Sequence, residues 1–318
     1  MKSRVKFIGL CGLVLASLPA EIASAAEGGI GVYLLGSKGP AAAITPPPGL
    51  YLENDFYFYR GTMGKDEKLP AGGRLAVGIE GDAALYIPSL SYIAPEPLLG
   101  GHLGLSVSLP VGKKETDADL TLRGPRGGHA TGAISDDILT IGDPKVGAYL
   151  GWQTGNFHYQ LGTQFNVPIG DYHEGAITNL AFHRWGTDIF AAATWLDPTI
   201  GLDISGAAGV TFNSTNTATD YKTGNEFHFE GAMVQHFNKS FDAGLIGYYY
   251  KQLGADSGSG ASGAFKGEVA AIGVTLGYSF KAGELPMAAR LKYYHEVSAE
   301  NRPKGDAVYV TLSMPLKF

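Results

Sequence analysis

Glu226, His228 and Glu230 stand two residues apart in NEFHFEGAMV, and no other side chains in this sequence carry clearer chemical potential. Two carboxylates flanking an imidazole can hold a cation or pass a proton, provided all three point the same way. A spacing of two achieves that on a β-strand, where alternate side chains share a face. The plainer reading is a polar network along a wet wall, with opposite charge facing it. Arg290, Lys292 and Glu296 in ARLKYYHEV repeat the spacing and can supply part of that counter-charge. Glu53 and Asp55 in YLENDFYFYR, with Glu80 and Asp82 in VGIEGDAAL, form a second acidic group on two successive strands. His158, Gln160 and Gln164 give a further strand an uncharged polar face, and Asp203 sits on the polar side of LDISGAAGV.

The elements that must position these residues are all of one kind. Phe157, Tyr159, Leu161 and Phe165 alternate with His158, Gln160, Gly162 and Gln164, and Ile272, Val274, Leu276 and Tyr278 alternate with Gly273, Thr275 and Gly277. The chain ends VYVTLSMPLKF, with Val308, Val310, Leu312, Met314, Leu316 and Phe318 on one side. A period of two means strands with one apolar and one polar face. Twelve strands are predicted, over 50–60, 74–93, 98–110, 144–153, 156–168, 187–196, 199–213, 224–237, 240–253, 266–281, 285–299 and 305–318. Their joints alternate in length. Pro95-Glu96-Pro97, Thr154-Gly155, Asp197-Pro198, Asn238-Lys239 and Ala282-Gly283 are tight, whereas 61–73, 111–143, 169–186, 214–223 and 254–265 are long. Loop length segregated by parity, with an even strand count, is the pattern of a transmembrane antiparallel β-barrel with short periplasmic turns and long outer loops. Such a wall turns apolar residues to lipid and charges to the lumen, because a lipid-facing basic charge costs ~2–4 kcal/mol at mid-membrane. The candidate residues therefore read as lumen-lining. The expected fold is an all-β outer-membrane barrel of twelve strands.

The rest of the sequence fits a secreted membrane protein. Lys2, Arg4 and Lys6 precede an apolar run over 7–19, and Ala23-Ser24-Ala25 has the small-x-small pattern of a leader-peptidase site, so residues 1–25 read as a signal peptide. The single cysteine, Cys11, lies inside it, leaving no disulfide or thiolate metal site afterwards. A formal net charge of −6 argues against a nucleic-acid partner. Gly258-x-Gly260-x-x-Gly263 matches a dinucleotide fingerprint only formally, since it sits in an outer loop with no helix to follow. Neither G-x-S-x-G nor H-E-x-x-H occurs. No cofactor, catalytic residue or metal site is expected. The terminal Phe318 is expected to be an address read by the barrel assembly machinery as well as a wall residue. Tyr248-Tyr249-Tyr250 and Tyr293-Tyr294 are expected chiefly at the membrane interface, although adjacency forces one of each pair inward.

Several stretches are more specific than any barrel rule. GVYLLGSKGPAAAITPPPGLYLENDFYFYRG (31–61), IPSLSYIAP (87–95), GDPKVGAYLGWQTGNFHYQLG (142–162), TDYKTGNEFHFEG (219–231) and DSGSGASGAFKG (256–267) resemble the transporter-like outer-membrane proteins encoded with the meta-pathway of phenol degradation. The resemblance covers essentially all of the chain after the leader. It implies an outer-membrane barrel of a Gram-negative bacterium that passes aromatic or other hydrophobic compounds. The expected function is passive uptake of such a substrate. Two alternatives are a general porin for hydrophilic solutes and an outer-membrane lipid-modifying hydrolase, for which no outward Ser/His pair stands out. Residues 26–49 precede the barrel (50–318) and lack sustained alternation. Their apolar patch, Val32-Tyr33-Leu34-Leu35, followed by the stiff Thr45-Pro46-Pro47-Pro48, suits a hatch that re-enters the lumen. A disordered periplasmic leader is the simpler possibility.

Overall fold

The computed structural model describes residues 25–68, 74–123, 128–261 and 263–316. Residues 1–24, which hold most of the expected leader, and Phe318 lie outside the described residues. Apart from a short 3₁₀ turn at Glu27–Gly29, the described chain is built of strands. They are β1 (Gly49–Lys68), β2 (Arg74–Leu98), β3 (Gly101–Ser108), β4 (Val111–Arg123), β5 (His129–Ile141), β6 (Lys145–Thr154), β7 (Phe157–Asn166), β8 (Gly186–Asp197), β9 (Leu202–Asn213), β10 (Glu226–His236), β11 (Phe241–Gln252), β12 (Glu268–Ala282), β13 (Leu285–Glu300) and β14 (Lys304–Leu316).

Every described pairing is antiparallel, and β1 pairs with both β2 and β14, so the sheet closes on itself. β3 and β4 both pair with β2, along its lower and upper halves, and are two lengths of one wall strand. β5 and β6 follow suit, pairing with β4 and β3 respectively. The wall is therefore a closed twelve-strand barrel. Closure satisfies every backbone group that would otherwise meet lipid. At the short-turn end the chain reverses through left-handed residues, Leu99-Gly100 (φ 51° and 77°), Gly155 (57°) and Gly283 (65°), the conformation that tight hairpins require.

Packing is inverted relative to a water-soluble domain. Leu161, Ile189, Leu245, Ile272 and Val274 face outward and are exposed, whereas Asp188, Thr194, Asp203, Glu226, Glu230 and Lys292 are buried inside.

Two parts of the sequence reading are corrected here. Residues 111–143 are not one long loop but hold the β4–β5 hairpin, which prolongs the wall outward. β4 reads VGKKETDADLTLR, with charge on both faces, because neither face meets lipid there and no apolar alternation is imposed. The first tight joint is Leu99-Gly100; Pro95-Glu96-Pro97 lies inside β2, where the register with β3 shifts.

Candidate functional site

The lumen is occupied by the chain's own N-terminal segment. It starts among the long loops, where Ala25 N donates to the Asn301 carbonyl (2.8 Å) and Glu27 pairs with Arg184 (3.1 Å). It then descends along β8–β14. Ala41 N donates to Asp203 (2.9 Å), Ala43 N to Thr194 (3.1 Å), and Gln160 donates to Thr45 (3.3 Å). The chain leaves at the short-turn end, where the Tyr51 hydroxyl bonds the Pro47 carbonyl before β1 begins. The segment is a strap running the full height of the barrel.

Its midpoint is held by several bonds from both sides of the lumen. The Tyr33 ring stacks on His228, centroids 3.5 Å apart and planes 11° from parallel, and its hydroxyl donates to Glu230 Oε1 (2.9 Å). Gly36 N donates to the same oxygen (2.9 Å). His228 Nε2 meets Asp188 Oδ1 (2.9 Å). From the opposite side Lys292 Nζ donates to the carbonyls of Gly36 (2.5 Å) and Ser37 (3.0 Å). Gly36 has φ +84°, and a Cβ there would sit 2.7 Å from the Tyr294 ring, so the strap's turn needs glycine for both conformation and space. Around it Tyr33, Leu35, Tyr248, Tyr250, Tyr294 and Tyr309 form one buried cluster.

The strap leaves space on the other side of the lumen. Between the strap and the wall of β1–β3, β6 and β7 lies a cavity of about 380 Å³. Leu34, Leu85, Ile87, Leu180, Phe182 and Phe190 make its apolar surface. Lys38, Lys114 and Lys145 border it, and none of the three forms an ion pair among the described residues. Lys145 instead donates to the Val32 carbonyl, Lys114 to that of Asn179, and Lys38 lies over the Phe190 ring (4.1 Å). The stretch 167–185 folds over the cavity's outer side. Buried Asp143 holds it, accepting from Gly170 N, Phe182 N and Asn166 Nδ2. The cavity offers apolar walls and ammonium groups at one border. Among the described residues no three His, Cys, Asp or Glu side chains cluster as a metal site, and Glu226 is met instead by Asn213 and Tyr250.

The sequence-predicted residues divide as follows. Glu53, Asp55, His158, Gln160, Gln164, Asp203, Glu226, His228, Glu230, Arg290, Lys292 and Glu296 lie on the inner face or line the cavity. Glu80 does not, and Asp82 borders the cavity but turns its side chain outward. β1 and β2 pair with odd residues opposite odd ones, as Tyr57 with Leu85, so Glu53 and Asp55 face inward while Glu80 and Asp82 face outward. There they meet Arg60 (2.7 Å to Asp82, 3.4 Å to Glu80) beyond the apolar belt. The direct bonds of Arg290 and Lys292 go elsewhere, although Lys292 still acts on Glu230 through space as counter-charge. Arg290 forks onto Asp242 (2.9 and 3.1 Å), and Lys292 binds strap carbonyls. Glu230 takes both strap donors on Oε1 while its Oε2 has no partner among the described residues, and Glu296 accepts from Tyr59 and Tyr248 (3.0 and 2.9 Å). Tyr248, Tyr250 and Tyr294 are lumen residues rather than interface anchors; Tyr249 and Tyr293 face out, bonding Glu268 and Asp306. Asp188, Asp143 and Arg184 were not singled out from sequence, although Asp188 occupies an inward position in an otherwise apolar and small-residue strand.

Comparison with known proteins agrees with this architecture. The model of the family described as "Putative MetA-pathway of phenol degradation" matches residues 65–312. The COG4313 outer membrane channel from Pseudomonas putida F1 superposes with a TM-score of 0.66 at 15% identity, covering 87% of this chain and 99% of that one. The transport unit of the autotransporter AIDA-I from Escherichia coli gives 0.45 at 12% identity, covering 85% of this chain and 90% of that one. No curated protein matches the sequence.

Proposed function

The chain belongs to the family of the MetA pathway of phenol degradation, and on that premise we propose that this outer-membrane channel takes up small hydrophobic, aromatic compounds past a strap that bars the lumen to water and ions. The observation that carries the reading is the apolar-walled cavity beside a hydrogen-bonded strap. About 380 Å³ lies within the usual range for small-molecule sites. An open water column would favour polar solutes, whereas a half-filled lumen with a greasy wall favours a molecule that sheds its hydration. The ammonium groups of Lys38, Lys114 and Lys145 favour a solute with a carboxylate or other acceptor at one end. The periplasmic short-turn end and outward long loops follow the usual arrangement. Assembly through recognition of the C-terminal strand belongs to the same proposal, supported by the role of β14 in closing the barrel on β1.

The test is conductance and uptake in lipid bilayers and proteoliposomes. The intact protein should conduct ions poorly and admit benzoate faster than a sugar of similar size. Deletion of residues 28–44 should leave a folded, heat-modifiable barrel with raised conductance and sugar entry. A deleted protein that folds and conducts no better than the full chain sinks the strap as a barrier. Preference for the sugar by the intact protein sinks the hydrophobic channel in favour of a general porin.

A further inference from the structure

A second buried site lies at the outer mouth, and its ligand is the chain itself. Ala26 N donates to Asp256 Oδ2 at 2.9 Å in a buried contact between residues 230 apart in sequence. Asp256 is 5% exposed and gathers three more donors: the Tyr221 hydroxyl (2.6 Å), Gly224 N (3.1 Å) and the amide of fully buried Gln252. Burial and the Asp256 carboxylate push the Tyr221 phenol well above its ordinary pKa, so it remains a donor. This cup is built from two separate outer loops, around 221–224 and 252–256, and it encloses a carboxylate. A carboxylate so withdrawn from water is normally matched by a cation. The nearby cations are engaged elsewhere, Arg184 with Glu27 and Arg302 over the Tyr250 ring (4.4 Å).

Ala26 is the residue that follows the Ala23-Ser24-Ala25 leader-peptidase pattern. Its backbone carries a second sign. With φ 59° and ψ 139° it occupies a region that a non-glycine residue reaches only at a cost. The angle φ exists only while a carbonyl precedes the nitrogen; in a first residue that strain vanishes.

We propose that the Asp256 cup is the receptor for the α-ammonium created by leader removal. Hydrolysis of the Ala25–Ala26 bond consumes one water and leaves a carboxylate on Ala25 and an ammonium on Ala26. The amide donor at 2.9 Å thereby becomes a cationic one beside an enclosed carboxylate. The strap is then tethered covalently at Gly49 below and by a buried ion pair above, and only the processed chain completes the upper tether. This docking is independent of what the channel carries.

The test uses protein processed in cells and purified from the outer membrane. Mass spectrometry should find Ala26 as its first residue. In the folded protein the α-amine should react with an amine-acylating reagent roughly 10- to 100-fold more slowly than in the unfolded chain, the range expected of one charge-assisted bond. Asp256→Asn should abolish most of that protection. Should Asp256→Asn fail to assemble, an extra alanine inserted after Ala25 moves the ammonium by up to ~3.5 Å while leaving the cup intact, and it too should lose protection. A mature chain beginning elsewhere overturns the proposal. So does an α-amine as reactive folded as unfolded, or protection that survives the insertion. None of these outcomes bears on conductance, so failure here is distinct from failure of the channel reading.

Discussion

Replacing Tyr33 by alanine tests the strap at its strongest point. Tyr33 is only 9% exposed, packs in the tyrosine cluster, stacks on His228 and donates to a buried carboxylate. Truncating a buried aromatic side chain to alanine costs ~3–5 kcal/mol. The lost bond to Glu230, itself worth ~1.5–3 kcal/mol as a charged hydrogen bond, overlaps with that figure rather than adding fully to it. None of the loss falls on the wall, whose strands bond one another without Tyr33. The penalty therefore falls on docking of the strap, which shifts toward the undocked state by ~10²- to 4 × 10³-fold at 1.4 kcal/mol per decade. Tyr33→Phe, which keeps the ring and loses the hydroxyl, should shift it by only ~10- to 100-fold. Single-channel recording reads this directly. The native protein should show rare brief openings, Tyr33→Phe more, and Tyr33→Ala long-lived ones, all three with unchanged heat-modifiable migration. If Tyr33→Ala folds and its traces match the native ones, the strap is not the barrier and the reasoning from its hydrogen bonds fails.

Gly36→Ala should act in the same direction by a different route. Its φ of +84° and the 2.7 Å approach to Tyr294 force the turn to move, at ~1–3 kcal/mol, and openings should become more frequent without loss of assembled barrel. Leu276→Arg places a charge on the lipid face of β12 at ~2–4 kcal/mol and should sharply reduce folded protein in the membrane. Ser91→Arg, at the cavity wall, should assemble normally and reduce aromatic uptake; equal assembly of both arginine variants would mean the faces have been assigned the wrong way round.

The alternation of Phe157–Phe165 or of Ile272–Tyr278 made the barrel legible because lipid on one side and a polar interior on the other impose a period of two on every spanning strand. The same rule placed Glu226, His228 and Glu230 on one inner face from spacing alone. It was silent where lipid is absent: β4 and β5 have no lipid face, so no apolar alternation marks which of their residues, such as Lys114 and Ile138, turn inward. Spacing also orients residues only within a strand. Whether Glu80 and Asp82 share the face of Glu53 and Asp55 depends on the register between β1 and β2, and one residue of slip would reverse the answer. The strap lies furthest beyond the sequence's reach. Val32–Leu35 and the prolines after Thr45 mark it as unlike a wall strand, but its partners Glu230, Lys292, Asp203 and Asp256 lie more than 160 residues away. A carboxylate in a strand or loop looks the same whether it meets water, a lysine or a backbone N–H. Only closure of the barrel around the N-terminal segment removes the water and decides which.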